Sequence, residues 1–342
     1  MQHPAVIFAF NFAFPVFCMA GSLTYVVYRL CHSFGKLDVP NHRSSHDKPK
    51  ALMGGAAIAF SFMAGILAYR NTHLGLPAST ATLIAFLVIA LAVAAIGLLD
   101  DLWGLSPRLR FLLQFVFGTA TIVAVLLFDQ KVVSPIHLAL MPFALLWIVG
   151  NINAYNFMDG IDGMAAGNGI IYAITIGIAG YLLHMPDFLP LGIILAASMA
   201  GFLVFNAPPA RIFMGDVGST FLGYIVAAMG VLLSMIHETY ILVPATAMTP
   251  FIYDTMSVVL RRQRRGEHLT TAHRKHLYQR LVRSGWNHGQ ATILYLGLSI
   301  LSCAVALFPL MYELTPLILI CYWPCYAFLY GSIERRFCKV PF

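Results

Sequence analysis

The chain has 342 residues, of which 59% are hydrophobic and only 10% charged, and its formal net charge is +7. A soluble domain carries about 25% charged residues, so the composition excludes a soluble globular protein and leaves a polytopic membrane protein. Nor does the basic excess indicate a nucleic-acid partner, because no hydrophilic stretch is long enough to form a soluble basic module.

A membrane-spanning helix needs about 20 mostly apolar residues. Eleven stretches are candidates: 5–28, 52–69, 80–98, 110–128, 136–152, 165–183, 188–206, 218–236, 238–260, 289–308 and 313–331. The stretch at 136–152 is short and starts just after Pro135, and the pair at 218–260 is closely spaced, so the count is ten to eleven transmembrane helices. The expected fold is an all-α polytopic membrane protein, a single integral membrane domain over 1–342. The first stretch has no small-residue cleavage pattern before Arg29 and reads as an uncleaved anchor.

Lys and Arg set the orientation. With the N-terminus outside, the outer loops hold only Arg70 and Lys131, and the inner loops hold the other 19 of 21 basic residues. Eleven spans then put the C-terminus (Glu334-Arg335-Arg336) inside. The inner loops, about 29–51, 99–110, 153–164, 207–218 and 261–288, also carry nearly all the Asp, Asn and His, so function is expected on that face. Part of the charge serves topology and attraction to anionic lipid. The six cysteines lie in or beside spans without metal-ligand spacing, which suits small apolar packing.

Five acids stand at the inner ends of spans: Asp100, Asp101, Asp159, Asp162 and Asp216. A carboxylate at a helix centre in lipid costs roughly 2.5–3.5 kcal/mol on insertion scales. Grouped acids on one face suggest a bound cation, and a cation beside a membrane suggests phosphate chemistry.

Taken along the chain, the first inner loop, KLDVPNHRSSHDKPKALMGG, offers His42, Arg43, His46, Lys48 and Lys50, as a basic lipid-boundary loop or as phosphate contacts. Asp100-Asp101 ends the third span; the two carboxylates repel, so they supply a base and a cation contact, or form a solvated helix end paired with Arg108 and Arg110. In NINAYNFMDGIDG, Asn153, Asn156, Asp159 and Asp162 recur every three residues, which would stack them on one helical face. Amide and carboxylate oxygens there suit a hard cation or a nucleobase edge; a capping turn is the other reading. Asp216 in RIFMGDVGST precedes a helix whose N-terminus attracts anions, unless it is a simple N-cap. In HLTTAHRKHLYQRLVR, helical spacing would align His273, His276 and Arg280 as an anion clamp, or as one face of an interfacial helix. Asp254 lies deeper, seven residues before Arg261, as a site residue or as a buried acid paired with a hydroxyl or Lys.

The blocks PNHRSSH…MGG, LLDDL, NAYNFMDGIDG, RIFMGDVGS and HRKHLYQRL, in that order over residues 38–285, resemble the polyprenyl-phosphate N-acetylhexosamine-1-phosphate transferases, glycosyltransferase family 4. The resemblance implies transfer of a sugar-1-phosphate from a UDP-amino sugar to undecaprenyl phosphate, release of UMP, and a need for Mg²⁺, with Mn²⁺ as a substitute. It also implies a multi-pass protein of the bacterial cytoplasmic (inner) membrane, and admits a homodimer. By resemblance, Asp100 and Asp101 form the catalytic pair. Asn156 and Asp216 bind metal, while Lys48, Asn153, Asp159, Asp162, His273, Arg274, His276 and Arg280 contact the substrates.

Two departures stand out. His273 replaces the Asp that opens the family's last motif, with Tyr278-Gln279 in place of its later histidines, and Leu52 replaces an Arg before the glycines. The form His-Arg-x-His-Leu-Tyr-Gln-Arg-Leu is similar to the branch that begins O-antigen or capsule chains, often with 6-deoxy amino sugars. The alternatives are a phospho-muramoyl-pentapeptide transferase and, from another class, an ion-coupled transporter, whose site would lie at mid-membrane in broken helices.

Overall fold

The computed structural model describes residues 8–40, 49–72, 80–128, 135–268 and 273–342. The described residues fold as thirteen α-helices and one two-residue β-hairpin. In chain order these are α1 (Phe14–Ser33), β1 (Leu37–Asp38), β2 (Lys50–Ala51), α2 (Gly55–Thr72), α3 (Thr80–Trp103), α4 (Pro107–Phe128), α5 (Pro135–Phe157) and α6 (Met164–Leu182). Then follow α7 (Phe188–Asn206), α8 (Gly215–Ser234), α9 (Leu242–Ala247), α10 (Thr249–Arg264), α11 (Leu277–Arg283), α12 (His288–Met311) and α13 (Tyr322–Phe337).

Nine helical segments among the described residues are long and apolar enough to cross a membrane. The expected spans at 52–69 and 238–260 do not join them. The first is helical as α2, but Arg70, Asn71 and Thr72 at its end dilute its hydropathy. The second is broken: a 3₁₀ turn at Glu238–Ile241 leads into α9, and a second break at Met248 separates α9 from α10. Pro244 and Pro250 lack the amide hydrogens that a continuous helix would need there.

Helix α8 is the hub. Its residues from Val217 to Val231 are buried almost without interruption, because small residues let neighbouring backbones approach it closely. A Cβ on Gly55 would fall 2.1 Å from Gly218 Cα, one on Gly97 would fall 2.6 Å from Asp216 O, and one on Gly223 would fall 2.8 Å from Asn151 O. Glycine is therefore required where α2, α3 and α5 meet α8. These contacts also place the start of α2 and the end of α3 at the same level, beside the first turn of α8. At roughly 1.5 Å per residue, the 18 residues of α2 run about 27 Å away from that level.

Candidate active site

The site is built where these ends converge. Gly215, in the left-handed region at φ +76, turns the chain into α8, and a side chain there would meet Asp101 Oδ2 at 2.5 Å. Asp101 Oδ1 accepts a hydrogen bond from Asp216 N at 2.9 Å, and its Oδ2 accepts one from Val217 N at 3.0 Å. Asp101 thus caps the N-terminus of α8 from another helix, where free N–H groups favour an anion.

Asp100 faces differently. Its Oδ1 accepts from Leu105 N at 2.7 Å and its Oδ2 from Arg110 Nη1 at 2.7 Å. Arg110 Nη1 also donates to Asp216 Oδ2 at 3.3 Å, so one guanidinium bridges the two acids. Asn156 Nδ2 donates to Asp216 Oδ1 at 2.6 Å and to Ser219 Oγ at 2.9 Å. The adjacent pair is therefore split between two tasks, and Asn156 stands beside Asp216, as expected, but as its hydrogen-bond donor.

Asp159 lies just past the end of α5, among Asp216 and Asp101. Burial first, then repulsion from those two carboxylates, pushes its proton affinity up to about 8. Part of its side chain still reaches solvent, and its carboxylate has no hydrogen-bond partner among the described residues. The three-residue repeat does not stack as expected. Helix α5 ends at Phe157, and Gly163, at φ +75, reverses the chain before α6, so only Asn153 and Asn156 remain on one helix. Asn153 donates to Gln114 Oε1 on α4 at 2.7 Å and does not join the acids.

Asp162 belongs to a second cluster. Its carboxylate accepts from Ala210 N at 2.9 Å, from Lys50 Nζ at 3.3 Å, and lies 3.2 Å from His288 Nδ1. Burial would raise its proton affinity, but the His288 hydrogen bond, the Ala210 amide and the His288 and Lys50 charges hold it below the usual carboxylate range. The Lys50 ammonium also stands 5.1 Å from the Phe213 ring centroid. Lys50 is fixed by β2, whose Ala51 O accepts from Phe213 N at 2.8 Å. Lys48, the residue expected to contact phosphate, lies outside the described residues.

The last motif is not helical where its spacing suggested. His276 is extended (φ −60, ψ 148) and α11 begins only at Leu277. The rings of His273 and His276 still meet, with centroids 5.1 Å apart, while Arg274 is held half-buried in the same extended segment. Burial, then the positive neighbours His276, Arg262 and Lys275, push His273 down to about 4, so it is neutral at pH 7. Arg280 points away from the acids: it pairs with Glu334 and donates to Val340 O at 3.0 Å. Its expected substrate contact gives way to an anchor for the C-terminal segment.

Tyr278 donates to Phe157 O at 2.9 Å and packs under Gly160. A Cβ on Gly160 would lie 2.0 Å from the Tyr278 hydroxyl. Gly160→Ala is therefore expected to break this hydrogen bond and lower stability by about 1–2 kcal/mol, measurable by thermal unfolding in detergent; an unchanged midpoint would refute the contact.

Asp254, the one deep acid, is fully buried, with both oxygens filled by Leu277 N and by the hydroxyls of Tyr295 and Tyr330. A carboxylate so saturated has nothing to offer a translocated ion, which argues against the transporter reading.

Among the described residues, no group of three or more His, Cys, Asp or Glu side chains could hold a metal alone. That does not conflict with Mg²⁺, which keeps several waters and is held by one or two carboxylates plus substrate phosphates. Asp216 and the unpartnered, mutually repelled Asp159 fit such an open site; a closed protein cage does not form. Beside it, a mostly apolar cleft runs from Asp100 and Arg110 along Val93, Ile96, Leu113, Phe117 and Ile152.

A family model described as glycosyl transferase family 4 matches residues 83–234. The chain is 33% identical over 282 residues to a "Probable undecaprenyl-phosphate N-acetylglucosaminyl 1-phosphate transferase" of Bacillus subtilis (strain 168), covering 79% of this chain and 76% of the relative. It is 30% identical over 311 residues to a "Decaprenyl-phosphate N-acetylglucosaminephosphotransferase" of Mycolicibacterium smegmatis, covering 80% and 75%. A "Phospho-N-acetylmuramoyl-pentapeptide-transferase" of Streptococcus pneumoniae is 30% identical over 244 residues, 65% of this chain and 69% of the relative. The chain belongs to glycosyl transferase family 4 and is a multi-pass phosphotransferase of the bacterial cytoplasmic membrane that transfers a sugar-1-phosphate to a polyprenyl phosphate.

Proposed function

We propose that the transferred group is an N-acetylglucosamine-type amino sugar-1-phosphate, delivered from its UDP derivative to undecaprenyl phosphate on the cytoplasmic face. The product starts an O-antigen or another envelope polysaccharide. The observation that carries this reading is the meeting of Asp100, Arg110, Asn156 and Asp216 at the polar end of an apolar cleft. That pairing suits a substrate with a phosphate head and a hydrocarbon tail. Two relatives of greater coverage are named for N-acetylglucosaminyl transfer, and the muramoyl-pentapeptide relative aligns over a smaller share of this chain.

In the reaction, an oxygen of the lipid phosphate attacks the sugar-bearing phosphorus of the UDP-sugar, the bridging P–O bond breaks, and UMP leaves with the electron pair. All participants are anions, so stabilising charge is the main task. Arg110, between Asp100 and the cleft, is placed to receive the lipid phosphate, and Asp100 to orient it or take its proton. Asp101 holds the first turn of α8 in position. Asp216, supported by Asn156 and joined by Asp159, would hold Mg²⁺, which when bound neutralises the diphosphate and the departing UMP. Asp162 with Lys50 and the Phe213 ring offers an acid, a cation and a flat face for the uridine. His273 and His276 are read as diphosphate or sugar contacts.

The ends of α3 and α5 and the starts of α2 and α8 share one level, which supports counting α2 and the broken α9–α10 segment as two further crossings, and the Lys and Arg bias supports an N-terminus outside. Purified protein with Mg²⁺, undecaprenyl phosphate and a panel of UDP-sugars is expected to release UMP with UDP-N-acetylglucosamine and not with the UDP-muramoyl pentapeptide. Absence of UMP release with every amino sugar, from folded protein, would refute the proposal.

A further inference from the structure

Asp254 takes no part in the chemistry above, yet both of its oxygens are fully bonded. Both of its oxygens accept from Leu277 N at 3.1 Å, Oδ2 accepts from Tyr295 OH at 2.5 Å, and Oδ1 accepts from Tyr330 OH at 3.0 Å. These donors come from α11, α12 and α13, three elements gathered on one carboxylate of α10. A carboxylate with no solvent contact remains stable there only because its lone pairs are filled.

The same Oδ1 lies 3.4 Å from His276 Nδ1, off the line of a hydrogen bond, so that nitrogen is buried without another partner. His276 is only 3% exposed, stacked at 5.9 Å on the Tyr278 ring and set 5.9 Å from the ring of Phe157, at the end of α5 beside Asn156 and Asp159. The Gln279 side chain accepts from His276 N at 3.3 Å and closes the capping box that opens α11. Asp254 therefore fixes the backbone that follows His276 and faces the inward nitrogen of its ring.

We propose that Asp254 is a positioning residue for transfer, a buried carboxylate that holds the His276 ring in place and fixes the start of α11. The inference rests on the transferase reading given above. Asp254 touches no substrate in this account and acts through His276.

The test is a double-mutant cycle on full-length protein in detergent, with UMP release measured on undecaprenyl phosphate and UDP-N-acetylglucosamine. Asp254→Asn keeps shape and removes charge; it is expected to lower kcat by about 10–100-fold, the usual penalty for losing an orienting partner, with KM for undecaprenyl phosphate unchanged. In a His276→Ala background the same substitution is expected to have no further effect. Independent, multiplicative losses would show that Asp254 does not act through His276 and would overturn the proposal, as would wild-type kcat in Asp254→Asn. Should Asp254→Asn fail to fold, Tyr330→Phe frees Oδ1 while keeping the packing; a drop in kcat that disappears in the His276→Ala background supports the proposal, and unchanged kcat overturns it. Wild-type protein is the control, because its failure to release UMP would defeat the transferase reading itself.

Discussion

Asp216→Asn is expected to lower turnover by roughly 10²–10³-fold or more with the protein still folded. Asp216 is the residue on which the site converges: it is contacted by Arg110 from α4 and Asn156 from α5, and its own amide is held by Asp101 from α3. An amide of the same shape keeps the packing but presents an NH₂ group toward donors that need an acceptor, and removes the charge that would hold Mg²⁺. The loss should therefore appear in kcat without a comparable fall in thermal stability. UMP release over a series of Mg²⁺ concentrations, with an unfolding curve on the same sample, checks both halves. Activity near wild type would remove Asp216 from the machinery. Asp100→Asn is expected to be similarly inactive, since it breaks the bridge to Arg110 at the mouth of the cleft.

Asp162→Ala is expected to destabilise the fold by about 3 kcal/mol, the scale for removing one partner of a buried ion pair. The deleted carboxylate leaves the Ala210 amide and the Lys50 and His288 groups without their shared acceptor, at a joint between the first inner loop, the 207–213 loop and the start of α12. Lys50 and His288 retain some solvent access, which keeps the loss at the lower end of the range. The pH dependence has a definite sign. The folded Asp162 holds its proton less tightly than an unfolded carboxylate of pKa about 3.9, so its stabilisation is fully present above that value and is lost as pH falls through the lower folded one. Wild-type unfolding midpoints should fall below about pH 4, and the Asp162→Ala variant should show a shallower fall. Equal slopes in the two proteins would refute the assignment.

Much of this molecule is legible from residues alone. The 59% hydrophobic content, the long apolar runs and the biased Lys and Arg already require a multi-pass bundle with its chemistry at one face. Period and length suffice for that because lipid leaves the backbone few choices. The grouped acids were legible for the same reason, since a carboxylate at a membrane edge needs a use. What failed locally was helical extrapolation past breaks. The three-residue repeat through Asp162 crossed the end of α5, and the His273–Arg280 spacing crossed the start of α11, where Asp254 captures the Leu277 amide from 23 residues away. No local pattern contains that partner.

Composition, order and residue type are enough for the class, the family and a set of candidate polar residues. Which partners those residues meet depends on the tertiary structure. Asp100 turns to Arg110 while its neighbour Asp101 turns to α8, a division that adjacency cannot reveal. Lys50 and His288 meet Asp162 across 112 and 126 residues, and Arg280 turns from the expected site to Glu334 and Val340. Those outcomes depend on which helix ends meet, and that is set by glycine contacts along α8 that allow α2, α3 and α5 to close on it. Side-chain roles at a helix terminus follow from the neighbouring helices, and sequence order does not specify those neighbours.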